Sequence, residues 1–287
     1  MDMHQFFYDL DQLLSDKKFD EAEEYMKKSL AQAENECDAG ATISICNELG
    51  GYYRAASRYA EGIPLYEKAL ELIYQMGLNG TEYHGTTLIN YATTVTLIGD
   101  VEKALKLDTA AATIFAEAGF EMDYRLATLY NNMSFLCMDL GHYEEAETSL
   151  NDALYILRAL DDTEIDIAVT YTNLASVYIA MNRLDEAKVT IKKALDLFIA
   201  ESGRDDVHYA GAVNTLGEIY YQEGQYEKAS ALFMEAMKLT ERDFGKETQS
   251  YAILCQNLAS CYKNMNQEED ATAYQKLADE ILRRLGL

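Results

Sequence analysis

Large apolar and small side chains recur along the chain in a fixed order, and this order predicts helices throughout. The pattern of TYTNLASVYIAMNRLDEAKVTIKKALDLF (170–198) returns 42 residues later in VNTLGEIYYQEGQYEKASALFMEAMKLT. In the second to seventh copies a small residue follows an anchor position directly, and in every copy further small residues lie thirteen and twenty positions after the anchor, as at Ala187 and Ala194. Small residues allow two helices to approach closely, and larger neighbours fill the space beside them. The anchors are Asp9, Leu49, Tyr91, Met133, Leu174, Leu216 and Leu258.

Each copy is therefore predicted to be a helical hairpin of a first helix A and a second helix B. In the fifth copy we expect helix A from Asp166 to Ala180 and helix B from Leu184 to Ala200, with Asn182 and Asp185 suited to capping helix B. One hairpin cannot bury both of its apolar faces, whereas stacked hairpins can. The predicted fold is all-α, an α-solenoid of seven antiparallel hairpins in a single array over residues 1–287. The repeats span 3–35, 42–76, 84–118, 125–160, 166–200, 208–243 and 250–285.

Composition supports this fold and disfavours two classes of partner, nucleic acids and membranes. The chain has a single proline in 287 residues, which favours helices joined by short turns. The formal net charge of −25 disfavours nucleic acid and anionic membrane surfaces. The five cysteines contain no CxxC pair, the N-terminal stretch lacks the order of a signal peptide, and no apolar run reaches the ~20 residues of a membrane helix. We expect a cytoplasmic protein that binds neither nucleic acid nor membrane.

No arrangement of residues points to catalysis. The four histidines do not pair with cysteine or with one another at metal-ligand spacing, and no nucleophile motif is present. We expect no catalytic residue, no cofactor, no metal and no enzymatic activity; an active site assembled across repeats is the alternative. The histidines are His4, His84, His142 and His208.

The repeat resembles a known family. The order large-Gly/Ala-x-x-Tyr, Gly-x-Tyr-x-x-Ala and Phe-x-x-Ala is similar to the tetratricopeptide repeat. The NLA triplets at 173–175 and 257–259 and the segment GRDDVHYAGAVNTLGEIY (203–220) resemble the longer kinesin-light-chain variety, although Tyr209 stands where that variety usually has proline. The resemblance covers nearly the whole chain. It implies a right-handed superhelix whose A helices line a concave groove, and we expect a bacterial relative of that variety.

The resemblance also implies which residues face the groove, and these are mostly neutral and polar. Asparagine amides can pair with any peptide backbone, and two aromatic residues could form side-chain pockets. The asparagines have a second interpretation, in which they tie neighbouring helices together. The predicted peptide-binding groove contains Asn47, Arg54, Asn90, Asn131, Asn132, Phe135, Asn173, Ser176, Asn214, Glu218, Tyr221, Asn257 and Lys263.

The sequence therefore predicts a non-enzymatic scaffold that binds a basic or neutral peptide or protein in this groove. Two alternatives are an intracellular receptor for a small signalling peptide and a self-assembling structural repeat protein. The last helix carries an apolar stripe, and we expect weak homodimerisation through it.

Overall fold

The computed structural model describes every residue from Met1 to Leu287 and contains fourteen α-helices and no β-strand. Odd-numbered helices are the A helices of the repeats and even-numbered helices are the B helices. The A helices are α1 (Met3–Ser15), α3 (Ala39–Ala55), α5 (Glu82–Leu97), α7 (Tyr124–Asp139), α9 (Glu164–Ala180), α11 (Tyr209–Gln222) and α13 (Gln249–Asn264). The B helices are α2 (Phe19–Asn35), α4 (Tyr59–Gln75), α6 (Val101–Glu117), α8 (Tyr143–Leu157), α10 (Leu184–Glu201), α12 (Tyr226–Phe244) and α14 (Glu268–Leu285). The predicted all-α class and helix order are confirmed.

The chain consists of two compact units, Met1–Gly141 and His142–Leu287. In the first unit α1 packs on α2, α3 on α4 and α5 on α6, and in the second α9 packs on α10, α11 on α12 and α13 on α14. Each hairpin also packs its B helix on the A helix that follows, as α2 does on α3 and α12 on α13. The single array over residues 1–287 stays a prediction.

Close helix packing within a hairpin depends on a match between small and large residues. A Cβ atom added at Gly50 would lie 2.6 Å from the Tyr66 ring, and one added at Gly217 would lie 2.6 Å from the Phe233 ring. Because no real Cβ tolerates this distance, the two glycines create the space for the two aromatic rings. The small residues predicted thirteen and twenty positions after each anchor are buried in all seven copies.

The turn between helices A and B requires a left-handed backbone eight residues after every anchor. Glycine serves this position in three copies and other residues adopt the same conformation elsewhere. Asn182 has φ 57° there, and helix α10 has no side-chain cap, so the expected capping role of Asn182 is wrong. The seven residues are Lys17, Ser57, Gly99, Gly141, Asn182, Gly224 and Asn266.

Two arginines join successive B helices in the same way. Arg58 donates to Glu23 on α2 and to Glu61 on its own helix at 2.6 Å each, and its guanidinium lies 4.5 Å from the centre of the Tyr53 ring. Arg58 holds the pKa of Glu23 down at about 2. Arg183 makes the equivalent contacts with Glu147, Glu186 and Tyr178 in the second unit. Each network fixes the register between consecutive B helices.

Candidate functional site

The A helices of each unit lie beside one another and carry most of the predicted groove residues. Helix α3 contacts α5 in the first unit, and α9 contacts α11 in the second. We call the surface formed by α9, α11, α13, the loop before α11 and the C-terminal end of α12 the A-helix face of the second unit. The polar residues and the cavities of each unit define what its A helices can bind.

Four predicted groove asparagines form two hydrogen-bonded pairs, one in each unit. Asn90 Nδ2 donates to Asn47 Oδ1 at 3.0 Å, and Asn257 Nδ2 donates to Asn214 Oδ1 at the same distance. Asn47 Nδ2 also donates to Thr87 Oγ1 at 2.9 Å. These bonds link neighbouring A helices, yet the Oδ1 atoms of Asn90 and Asn257 accept no hydrogen bond from the protein. The same side chains can therefore brace the repeats and still present a carbonyl oxygen to a ligand.

The other predicted residues in the first unit are spread over two helices. Asn131 Nδ2 donates to the Ala127 carbonyl at 3.2 Å, whereas Asn132 and Phe135 are exposed on α7. Arg54 lines a cavity between α1 and α3. The structure does not gather these four residues into one pocket.

In the second unit two further predicted side chains, besides the asparagine pair, form hydrogen bonds within the protein. Ser176 Oγ donates to the Thr172 carbonyl at 3.3 Å, and the Tyr221 hydroxyl accepts from Asn264 Nδ2 at 3.0 Å. Lys263 is exposed at the far end of α13, beside α14. These three residues therefore lie away from the main cavity of the A-helix face.

That cavity has a volume of about 400 Å³ and is mostly apolar. Predicted groove residues Asn173 and Asn214 line it from α9 and α11, together with His208. Three large apolar side chains that line it are exposed to solvent: Val207 is 46% exposed, Phe244 58% and Ile253 41%. Its remaining lining includes Val169, Thr172, Ala210, Gly211, Ser250 and Leu254. Apolar cavities with a few amide groups at their rim are the usual form of a small-ligand or side-chain pocket.

A chain of polar groups starts at this cavity and ends on a carboxylate. Asn257 donates to Asn214, and Asn214 Nδ2 donates to Glu218 Oε1 at 2.7 Å. Glu218 is half-buried and forms no ion pair, and its burial raises the pKa of the carboxyl group while the Asn214 hydrogen bond opposes the rise. Lys263 is the single basic residue of α9, α11 and α13. The three A helices of the second unit thus supply no counter-ion to the Glu218 carboxyl group.

The first unit has two further cavities that share one carboxylate. A cavity of about 630 Å³ lies between α1, α2 and α3, and one of about 390 Å³ lies between α3 and α5. Glu48 lines both, and burial, followed by the nearby Asp11 charge, raises the pKa of Glu48. Gly51 lines the larger cavity, and Asn47 and Asn90 line the smaller one.

Potential metal ligands and the buried thiols were the remaining groups of chemical interest. No group of three or more His, Cys, Asp or Glu side chains is positioned to hold a metal ion. Burial raises the pKa of the Cys46 thiol to about 12 and those of Cys255 and Cys261 to about 11, so none of the three is a thiolate nucleophile at neutral pH. None of the fourteen helices is both long enough and apolar enough to cross a membrane.

The sequence did not indicate the apolar wall of the second-unit cavity. Val207 lies in the loop before α11, Phe244 ends α12, and Ile253 lies off the repeated core positions of α13. Single apolar residues at such places are common on any protein surface. Their proximity follows from the packing of three successive hairpins, which the period alone does not show.

The fold and these surfaces define a helical-repeat protein whose A helices carry cavities and amide side chains. The sequence profile of the tetratricopeptide repeat matches residues 41–117, 125–200 and 209–284. The chain belongs to the tetratricopeptide repeat family.

Known relatives agree with this assignment. The Arabidopsis thaliana protein KINESIN LIGHT CHAIN-RELATED 3 is 25% identical over 190 residues, which are 66% of this chain and 29% of that protein. The chain thus matches less than a third of the relative's length.

Solved structures resemble the fold over nearly the whole chain. The apo form of RapI covers 100% of this chain and 99% of its own, at 13% identity and a TM-score of 0.74. The apo form of the quorum sensor NprR from B. thuringiensis covers 97% of this chain and 86% of its own, at 15% identity and a TM-score of 0.61.

Proposed function

We propose that this chain is a non-enzymatic scaffold that binds a peptide or an extended protein segment on the A-helix face of its second unit. The observation that carries the proposal is the apolar cavity of about 400 Å³, walled by exposed Val207, Phe244 and Ile253 and flanked by Asn173 and Asn214. An apolar side chain of the ligand would fill the cavity, and the amides would meet its backbone.

The family supports this proposal, because tetratricopeptide repeats are typical of protein-binding scaffolds. A receptor for a small signalling peptide is the special case in which the ligand is secreted, and the relative NprR is a quorum sensor. The groove residues of the first unit, including Asn47, Asn90 and Arg54, would form a second contact region for a longer partner.

Two glycines provide a direct test. Gly211 lines the second-unit cavity and Gly51 lines the larger first-unit cavity, and a Cβ added at either one meets no atom within 4 Å. Gly211→Leu and Gly51→Leu should therefore fill one cavity each without disturbing the fold. Each variant is the control for the other, since both place the same side chain on an A helix.

The probe is a displayed library of random extended peptides, selected on the wild-type protein. Selected peptides should bind Gly211→Leu about tenfold or more weakly, because an anchor side chain loses its pocket. Their affinity for Gly51→Leu should stay close to that for the wild type. Selected peptides whose affinity is unchanged by Gly211→Leu, or a selection that enriches no peptide, would contradict the proposal.

A finer part of the proposal concerns self-association. Leu277 and Leu285 on α14 are exposed, whereas Ile281 is buried and Leu282 packs on the last core cluster. We propose that this remaining apolar strip supports a weak homodimer, with a second copy of α14 as its occupant.

A further inference from the structure

Glu218 has an unusual place on the A-helix face of the second unit. Its Oε1 atom accepts from Asn214, a residue that lines the apolar cavity, while Oε2 has no partner in the protein. No ion pair involves this carboxylate, and no basic side chain influences its pKa. A half-buried carboxylate without a counter-ion is unfavourable, so a cation supplied by a ligand would be stabilised there.

The basic residues near this face do not pair with Glu218, and Arg204 in the loop before α11 pairs with Glu235 instead. Lys263 is the single basic residue on the three A helices, and it lines a separate small cavity with Glu268 between α13 and α14. The ligating groups around Glu218 are also too few for a metal ion, because no cluster of three potential metal ligands exists. A single organic cation, which needs one or two acceptors, fits the site better.

We propose that the second unit selects a peptide that places a bulky apolar side chain in the cavity and a lysine or arginine beside it, whose cation pairs with Glu218. This inference rests on the proposed function of the A-helix face. The apolar wall would contact one side chain of the ligand, and the carboxylate would pair with a neighbouring basic side chain of the same ligand.

The spacing within helix α11 sets where the basic residue must lie. Glu218 follows Asn214 by one helical turn, which is about 6 Å along the axis. An extended peptide advances about 3.3–3.6 Å per residue, so the cation belongs to a residue one or two positions from the apolar anchor. The long flexible side chains of lysine and arginine can span the remaining distance.

The test compares two variants that remove the same charge. Glu218→Gln keeps the size of the side chain and an oxygen that accepts from Asn214, so it should fold. Glu201→Gln is the matched control, because Glu201 is exposed at the end of α10 and forms no ion pair. Thermal unfolding of both variants verifies that they are folded.

The probe is again a displayed library of random peptides, restricted to those that Gly211→Leu weakens. These peptides should contain lysine or arginine within two positions of a large apolar residue. Their affinity should fall about tenfold for Glu218→Gln and less than about twofold for Glu201→Gln. Replacing the basic residue of the peptide by methionine should weaken binding to the wild type and have little further effect on Glu218→Gln.

Two other results have distinct meanings. If peptides sensitive to Gly211→Leu lack a basic residue or bind Glu218→Gln unchanged, the cation preference is wrong and the proposed function stands. If no peptide is sensitive to Gly211→Leu, the proposed function and this inference both fail.

Discussion

Asp108 lies in the middle of α6, at a core position where other B helices carry large apolar side chains. It is 6% exposed and makes no hydrogen bond or ion pair. Burial raises the pKa of Asp108 to about 7. Five of the six equivalent residues are apolar and fully buried, namely Met26, Tyr66, Leu150, Ile191 and Phe233, and the sixth is the exposed Gln275 of the last repeat.

The raised pKa makes stability depend on pH in a definite direction. Asp108 is protonated in the folded protein below about pH 7, whereas an aspartate in the unfolded chain ionises near 3.8. Since the unfolded state releases this proton more readily, the free energy of unfolding falls as pH rises from about 4 to about 7 and then levels off. The two pKa values correspond to a total loss of about 4 kcal/mol.

Asp108→Asn removes the ionisation and keeps the size and polarity of the side chain. The variant should be more stable than the wild type at about pH 8, and the difference should be smaller by about 2–3 kcal/mol at about pH 5. Urea unfolding followed by circular dichroism at both pH values measures this difference. The change in overall charge repulsion with pH is nearly common to both proteins and largely cancels.

Glu117→Gln is the control on the same helix, because Glu117 is exposed and forms no ion pair. Its effect on the free energy of unfolding should be small and similar at both pH values. A stability difference between wild type and Asp108→Asn that does not change with pH would refute the assignment of Asp108 as a buried, unpaired acid.

Three further predictions test packing, bracing and self-association. Gly217→Ala should lower the free energy of unfolding by about 1–3 kcal/mol because its Cβ meets an aromatic ring, whereas Gly211→Ala on the same helix should raise it by about 0.5–1 kcal/mol; urea unfolding measures both. Asn214→Ala should lower the free energy of unfolding by about 0.5–1.5 kcal/mol. Adding Asn257→Ala should lower it little further, because both variants remove the same hydrogen bond and their effects are not additive. Light scattering should show dimers whose fraction rises with protein concentration. A protein that stays monomeric at high concentration would contradict the proposed dimerisation through α14.

The helices were predictable from the sequence because their signal is local and repeated seven times. Leu184 begins α10 and Ala180 ends α9 as the pattern predicts, since small residues at fixed spacing determine where two helices touch. Asp108 was visible in the sequence as an exception to this pattern. The sequence could not show that Asp108 lacks a hydrogen-bond or ion-pair partner, because that depends on the side chains of adjacent helices.

The candidate site was predictable in part. Asn173 and Asn214 were expected to face the ligand, and both line the second-unit cavity. The hydrogen bond from Asn257 to Asn214 joins residues 43 positions apart, so it depends on how adjacent repeats stack. Val207 and Phe244 come from a loop and a helix end, where the repeat imposes no pattern.

Photo-crosslinking of a selected peptide tests most directly the claim that the A-helix face of the second unit binds ligand. The peptide carries a photoreactive group in place of its apolar anchor, and mass spectrometry locates the attachment. We expect crosslinks to Val207, Phe244 and Ile253, which wall the cavity. Crosslinks concentrated on Tyr155 and Val189, which are more exposed large hydrophobic residues on the B helices α8 and α10, would contradict the account.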